Sequence, residues 1–367
     1  MSKLSSMNIS IQRHLFPALE AEIGELSEKE QKFVRIVELV EFRKFLAHRG
    51  WCGVGRKPHS SVALAKAFIA KSVWNLTTNR SLIDLLLSSA SLRRLCGWDR
   101  TADVPAECSF SRFFADFAQM ELPQKVHEHL VREHLGEKLC GHISRDATAI
   151  HAREKPEATQ KKSEDENPKE KKKRGRPKKE EQREKEPRRL ELQPDRSLEE
   201  NLADLPKSCN VGCKKNSKGY KETWIGYKLH LDVVDGDIPI SAILTSASLH
   251  DTQVAIPLAQ MSDDRVTNLY DLMDAGYDAK EIHEFSQRLG HVPIIDNNPG
   301  RGKEKKQMSP AEKERFKERS AAERVNSNLK DNYGGNHIRV RGAAKVACHL
   351  MFGLLALTAT QLYNLLL

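Results

Sequence analysis

Apolar residues recur at three- and four-residue steps through EKEQKFVRIVELVEFRKFLAHR, SSVALAKAFIAKSVWNL and RSLIDLLLSSASLRRLCGW. That spacing predicts amphipathic helices, and the loop WCGVGRKPHSS divides the first two. A fourth helix is expected in SFSRFFADFAQMEL, capped by Ser109 with Pro105 just upstream. Residues 1–140 therefore read as an all-α region. Short helices with basic ends suit a helix-turn-helix or a helical dimerisation domain, and the pattern does not choose between them.

From Gly141 the period changes to two. GHISRDATAI reads as a strand carrying Asp146, and TWIGYKLHLDVVD and IPISAILTSAS flank a hairpin turn at Asp235-Gly236-Asp237. HDTQVAIPLAQM predicts a helix with Asp251 as its cap, and by position His250 and Asp251 could instead join the candidate site. NLYDLMDAGYD is a strand ending at Asp274, with Gly276 for a sharp turn. A helix over 278–289, capped by Asp278, precedes the short strand HVPIID. The loop NNPGRGKEKKQMSP leads into FKERSAAERVNSNLK, a helix pattern without Gly or Pro. This order predicts an α/β fold, a mixed sheet with flanking helices, over 141–152 and 223–367. The apolar end from Val346 carries His349, Gln361 and Asn364, so it is expected to be a buried core helix, not a membrane span.

Between these parts, residues 153–222 are rich in charge and poor in apolar runs, which predicts a largely disordered insertion. Inside it, Arg174-Gly175-Arg176-Pro177 resembles an AT-hook, whose arginines lie in the minor groove of A·T-rich DNA. A generic basic linker that binds phosphate is the other reading. Lys214 and Lys215 are further expected phosphate contacts. Cys209 and Cys213 lack two more ligands at zinc-site spacing, so no zinc is expected.

The formal net charge of +9 over 367 residues favours a polyanionic partner, most simply double-stranded DNA. The opening MSKLSSMNISIQRHLF lacks the apolar segment of a signal peptide, and seven scattered cysteines fit a reducing compartment. A cytoplasmic, nucleoid-associated place is expected.

Asp146 and Asp274 each fall near the end of an apolar strand, where open α/β sheets gather ligands. At about 100° per residue, Arg319, Glu323 and Lys330 share one helix face, with Phe316 at its edge. An i,i+4 surface pair would explain Arg319 and Glu323 alone. Three carboxylates converging on one point need cations. Oxygen donors select hard divalent ions, Mg²⁺ first with Mn²⁺ as a substitute. Two such ions about 3.5–4 Å apart clamp the oxygens of an in-line displacement at phosphorus. Asp271 shares its strand at odd offset and is expected on the opposite side. Trp224 and Tyr227 could stack on a base, though packing in the core is the commoner fate of strand aromatics.

Asp146, then DAGYD with Asp274, then the spacing Phe316, Arg319, Glu323, Lys330 resembles the DDE transposases of bacterial insertion sequences, in the group with a Tyr-Arg-Glu-Lys signature. GRKPHS and VPAECSFSRF resemble the helical N-terminal domain of such enzymes. The resemblance implies an RNase H-like catalytic domain, with Asp146, Asp274 and Glu323 as metal ligands and Arg319 and Lys330 on DNA phosphates. It implies cleavage at the element's ends and strand transfer into target DNA by a synaptic homodimer. Two departures stand out. Phe316 replaces the family tyrosine, and the short stretch between Asp274 and Glu323 has no room for the β-rich insertion of some members. A non-catalytic DNA-binding protein derived from a transposase, or an RNase H-like nuclease without strand transfer, are the competing readings.

Overall fold

A computed structural model describes residues 3–46, 54–55, 58–157, 187–215, 219–299 and 305–365. The N-terminal part is helical: α1 (Lys3–Ser10), α2 (Phe16–Ile23), α3 (Glu28–Val40), α4 (Ser61–Val73), α5 (Asn79–Ser88), α6 (Ala90–Cys96), α7 (Glu107–Gln119) and α8 (Leu122–Leu135). Side-chain oxygens cap several of these. Ser60 accepts from Ala63 N, Thr78 from Ser81 N, and Ser27 and Glu30 form a reciprocal capping box. RSLIDLLLSSASLRRLCGW is two helices because Ser89 is extended and caps the second, accepting from Leu92 N at 3.2 Å. Ser109 does not cap α7. The extended residue after Pro105 is Ala106, so the helix starts at Glu107 and takes Ser109 inside.

The second part holds β1 (Leu139–His151), α9 (Arg189–Leu192), α10 (Leu198–Asp204), β2 (Asn210–Lys215), β3 (Lys221–Val234) and β4 (Ile238–Ser246). Next come α11 (Thr252–Asp263), β5 (Thr267–Met273), α12 (Lys280–Arg288), β6 (Val292–Ile295), α13 (Pro310–Phe316), α14 (Ser320–Asn332) and α15 (Ala343–Asn364). β3 pairs antiparallel with β1 on one side; on its other side β2 takes its first half and β4 its second. β5 and β6 continue the sheet in parallel from β1. Hairpin geometry suffices for β3–β4, whereas the parallel strands need the crossovers that α11 and α12 supply. The result is a mixed six-stranded sheet preceded by an all-α region. β3 does not alternate from Tyr227 onward; with helices on both faces nearly every residue to Val234 is buried.

The expected disorder of 153–222 does not extend through 187–215, which form α9, α10 and β2. Leu190 and Leu205 are buried there against the sheet's helical layer. A charged segment needs no core of its own when a few apolar residues dock on one already built. Residues 158–186, with Arg174 and Arg176, lie outside the described residues.

α15 ties the two parts together. Phe352 on this helix packs with Phe42, Phe68, Phe114 and Phe117 from the N-terminal helices. The helix also packs on α8 of the N-terminal part and on β4 and α14 of the second, and one continuous apolar core spans both parts. The helix is long and apolar enough to cross a membrane, but 72% of its most apolar window is buried in the protein.

Candidate active site

The parallel ladder sets Ser144 of β1 beside Leu272 of β5. Two residues further along stand Asp146, on β1, and Asp274, just past the end of β5; the two strands lie about 4.8 Å apart where they pair. Asp146 is not at the end of β1, which runs on to His151; it stands just past the end of the β1–β5 pairing. Asp274 follows β5 and opens a single 3₁₀ turn, Ala275–Tyr277, accepting from Gly276 N at 2.9 Å. Gly276 serves proximity, not a left-handed turn. A Cβ on it would come within 3.0 Å of Asp274 Oδ1.

α14 runs along the β1 face that carries Ser144, Asp146 and Thr148. Ser144 Oγ donates to Arg319 O and accepts from Ala322 N (3.4 Å). Asn326 Nδ2 donates to Asp146 Oδ2 (3.0 Å), and Lys330 Nζ donates to Thr148 Oγ1 (2.6 Å). Two residues of strand advance about 6.6 Å and four of helix about 6 Å, so the elements stay in step over three contacts. Arg324 binds Asp237 in the β3–β4 turn at 2.6–3.0 Å, and Asn75 Nδ2 donates to Asp331 O at 2.7 Å.

The expected single helix over 316–330 is interrupted. α13 ends at Phe316, Lys317–Arg319 form a 3₁₀ turn, and α14 begins at Ser320. Arg319 leaves that turn to donate to Glu323 Oε1 at 2.5 Å, and its guanidinium stands 5.7 Å from the Phe316 ring centre.

Burial is the main cause that pushes the Asp146 carboxyl up to about 6; Asp274 and Glu323 push the same way, while the Ala147 N–H and Arg319 oppose it. Asp274 is raised too, first by burial, with Asp251 and Asp296 adding to it. Lys330 is lowered by burial and then by the Lys214 ammonium. Asp251 and Asp296 thus add their negative charge to that of Asp146, Asp274 and Glu323. Asp251 does not cap α11. Its own backbone is helical, and its carboxylate accepts from Lys228 Nζ at 2.8 Å. Asp278 does not cap α12 either, because Asn298 N and Asn297 Nδ2 donate to it at 2.8 and 3.1 Å.

Ser144, Thr148 and Asn326 were missed in the sequence. The polar residues at alternate positions of β1 carried the signal for the first two; Asn326, one of three asparagines on α14, carries none. Asn326 Oδ1 and Tyr277 Oη are buried with no hydrogen-bond partner among the described residues. Asp271 lies on the opposite face, buried against Asn268 Nδ2 (3.1 Å) and His291 Nδ1 (3.3 Å). Trp224 and Tyr227 are core residues, 6% and 1% exposed. Lys214 faces Glu222 at 3.9 Å, and Lys215 closes β2 opposite Lys221 in register.

Among the described residues one set of metal-ligating side chains has its ligand atoms within 4.8 Å of one another: Glu41, His129 and Glu133. The Lys44 ammonium already stands among them, 3.4 Å from His129 Nε2 and 3.9 Å from Glu133 Oε1, and paired with Glu41. The carboxylates of Asp146, Asp274 and Glu323 are not gathered that tightly, and Glu323 is engaged by Arg319.

Residues 141–359 match the family model described as Transposase DDE domain. The chain belongs to the DDE transposase family. A second model, Transposase domain (DUF772), matches residues 21–116. No curated protein and no solved structure matches the chain. Membership makes this transposase a DNA-acting protein of a family that generally uses divalent metal ions, and its mixed α/β architecture is consistent with an RNase H-like DDE domain.

Proposed function

We propose that this transposase cleaves DNA at the ends of an insertion sequence and joins the freed 3′-hydroxyl to target DNA. Asp146, Asp274 and Glu323 would hold the divalent ions, Mg²⁺ or Mn²⁺. The observation that carries the reading is the docking of α14 on β1 through Ser144, Asp146 and Thr148, which brings the helix bearing Glu323 to the strand position beside Asp274. The donor set fits hard cations. All three ligands are oxygen donors, and Asp146 and Asp274, raised first by burial and further by neighbouring carboxylates, would be stabilised in their charged form by a cation. When bound, such ions would supply activation of the attacking hydroxyl and charge neutralisation at the departing oxygen.

The chain's own groups have distinct parts. Arg319 neutralises Glu323 in the free protein and turns to a DNA phosphate, which a guanidinium grips bidentately. Lys330, held by Thr148, offers a point charge to a second phosphate. Asn326 holds one oxygen of Asp146 and so fixes where the other points. Lys214 on β2 extends the basic surface, Lys215 would add a phosphate contact, and Arg174 and Arg176 would add minor-groove contacts. Residues 1–140 bind DNA or form the homodimer that brings two ends together, while 141–152 and 223–367, with α9, α10, β2 and the start of β3 joined to their sheet, make the catalytic domain, working beside nucleoid DNA in the cytoplasm.

The test uses a supercoiled plasmid carrying the gene with its flanking DNA. The wild type should nick it with Mg²⁺, and Glu323→Gln or Asp146→Asn should abolish nicking while DNA binding persists. Retained nicking in either variant overturns the reading. A 3′-hydroxyl oligonucleotide of the element's end, added with target plasmid, should yield joined products. Cut products alone would make this a nuclease, and binding without metal-dependent nicking would make it a non-catalytic DNA-binding protein.

A further inference from the structure

The β2–β3 ribbon projects past the sheet and has two unlike faces. Directly opposed residues of an antiparallel pair share a face. Register therefore puts Gly212 with Trp224 and Lys214 with Glu222 on one side. There the Trp224 indole lies across Gly212, where a Cβ would come within 2.4 Å of the ring, and Nε1 donates to Tyr227 O at 3.1 Å. Lys214, at the end of that side, acts on the Lys330 ammonium of the candidate site. The other side presents Val211 opposite Ile225 and Cys213 opposite Thr223, with Lys221 beyond. All five are exposed, Val211 by 46% and Ile225 by 43%.

We propose that this ribbon reads the major groove of the DNA next to the phosphate that the site cuts. The inference rests on the DNA-cleaving role proposed above and adds where, and by which side chains, the duplex is read. A two-stranded antiparallel ribbon fits the width of the B-form major groove. Val211, Thr223 and Ile225 present methyl groups, the chemistry that recognises thymine methyls on the groove floor. Lys221 stands where the groove wall supplies a phosphate. Charge complementarity with a chain of net charge +9 favours DNA as the occupant, and Lys214 makes the ribbon continuous with Lys330 at the site.

Cys213 supplies the probe, because it is exposed on the open face while Cys96, Cys140, Cys209 and Cys348 are buried. The full chain carrying Cys52→Ser and Cys108→Ser is mixed with the gene-flanking duplex. One base of that duplex bears, in the major groove, a tether ending in a disulfide to a small thiol. The Cys213 thiolate attacks the tether sulfur, a protein–DNA disulfide forms, and the small thiol leaves. Trapping should be at least about tenfold faster than with the same tether in the minor groove, and should vanish in Cys213→Ser. Separately, Lys221→Ala should lower the slope of log affinity against log salt by about 0.9, the loss of one phosphate contact. Equal trapping in both grooves, no trapping, or an unchanged salt slope overturns the proposal. So does a Cys213 already shielded in DNA-free protein by a second copy of the chain. Trapping by a protein that never nicks DNA would sink the catalytic reading and leave this one standing.

Discussion

Asn326 donates its amide N–H to Asp146 Oδ2 across 3.0 Å, while its carbonyl oxygen is buried without a partner among the described residues. The bond fixes one carboxylate oxygen from behind. Asn326→Ala should weaken Mg²⁺-dependent nicking about 10–100-fold, the usual cost of losing a partner of a metal-binding carboxylate. Asn326→Asp should do more harm at neutral pH than at alkaline pH, because a new carboxyl beside Asp146 raises both. Nicking rates titrated against Mg²⁺ at several pH values check this, and equal rates for Asn326→Ala and wild type would contradict it.

Phe316 stands where the signature carries tyrosine, with the Arg319 guanidinium 5.7 Å from its ring centre. Phe316→Tyr adds a hydroxyl at the edge of the phosphate-binding face. One hydrogen bond is worth about 1 kcal/mol, so end-DNA affinity should rise by roughly fivefold. Titration of both proteins with the gene-flanking duplex decides it, and no gain would mean the hydroxyl meets no phosphate here.

Ser144 bonds to both Arg319 O and Ala322 N at the start of α14. Ser144→Ala should lower stability by about 1–3 kcal/mol, since it leaves a carbonyl without its donor in a half-buried place. Urea unfolding followed by tryptophan fluorescence measures this. The nicking rate should fall by more than DNA binding, because the helix that carries Glu323 loses its first anchor.

Among the described residues, His127, His230 and His349 are buried where the neutral ring is favoured. Burial is the chief cause that lowers His127 to about 3 and His230 and His349 to about 4. Each therefore binds a proton more readily in the unfolded chain, whose value is near 6.5. Their contribution is intact above 6.5 and is lost as pH falls toward the folded values, by about 1.4 kcal/mol per pH unit per group. The melting temperature should drop steeply from neutral to mildly acid pH, and the slope should flatten in His349→Gln. A melting temperature that is level across this range would show that these rings are not buried and neutral.

Much of this was legible in the residues, and the rest was hidden for identifiable reasons. Asp274 with Gly276, and the spacing of Arg319 and Glu323, stand out because each motif is local. The 3₁₀ turn at Lys317–Arg319 has no such mark, since Lys, Glu and Arg suit either helix type. Charge density concealed the order in 187–215, where Leu190 and Leu205 dock on a sheet built by distant segments. The same density masked the Val211 and Ile225 pair, which becomes a patch only once β2 and β3 are in register. Position before a helix leaves Asp251 open to capping or to the site, and only the fold decides, because Lys228 of β3 binds its carboxylate and its charge acts on Asp274.

The shared core around α15 has a genetic consequence. Because Phe352 is embedded among aromatic residues of the N-terminal helices while the same helix lies on β4, a copy cut short before Ala343 loses a wall of both parts at once. Such a remnant should not persist as a folded fragment that occupies transposon ends and blocks intact copies. Element copies with late nonsense mutations are thus expected to be silent bystanders, not inhibitors of their neighbours.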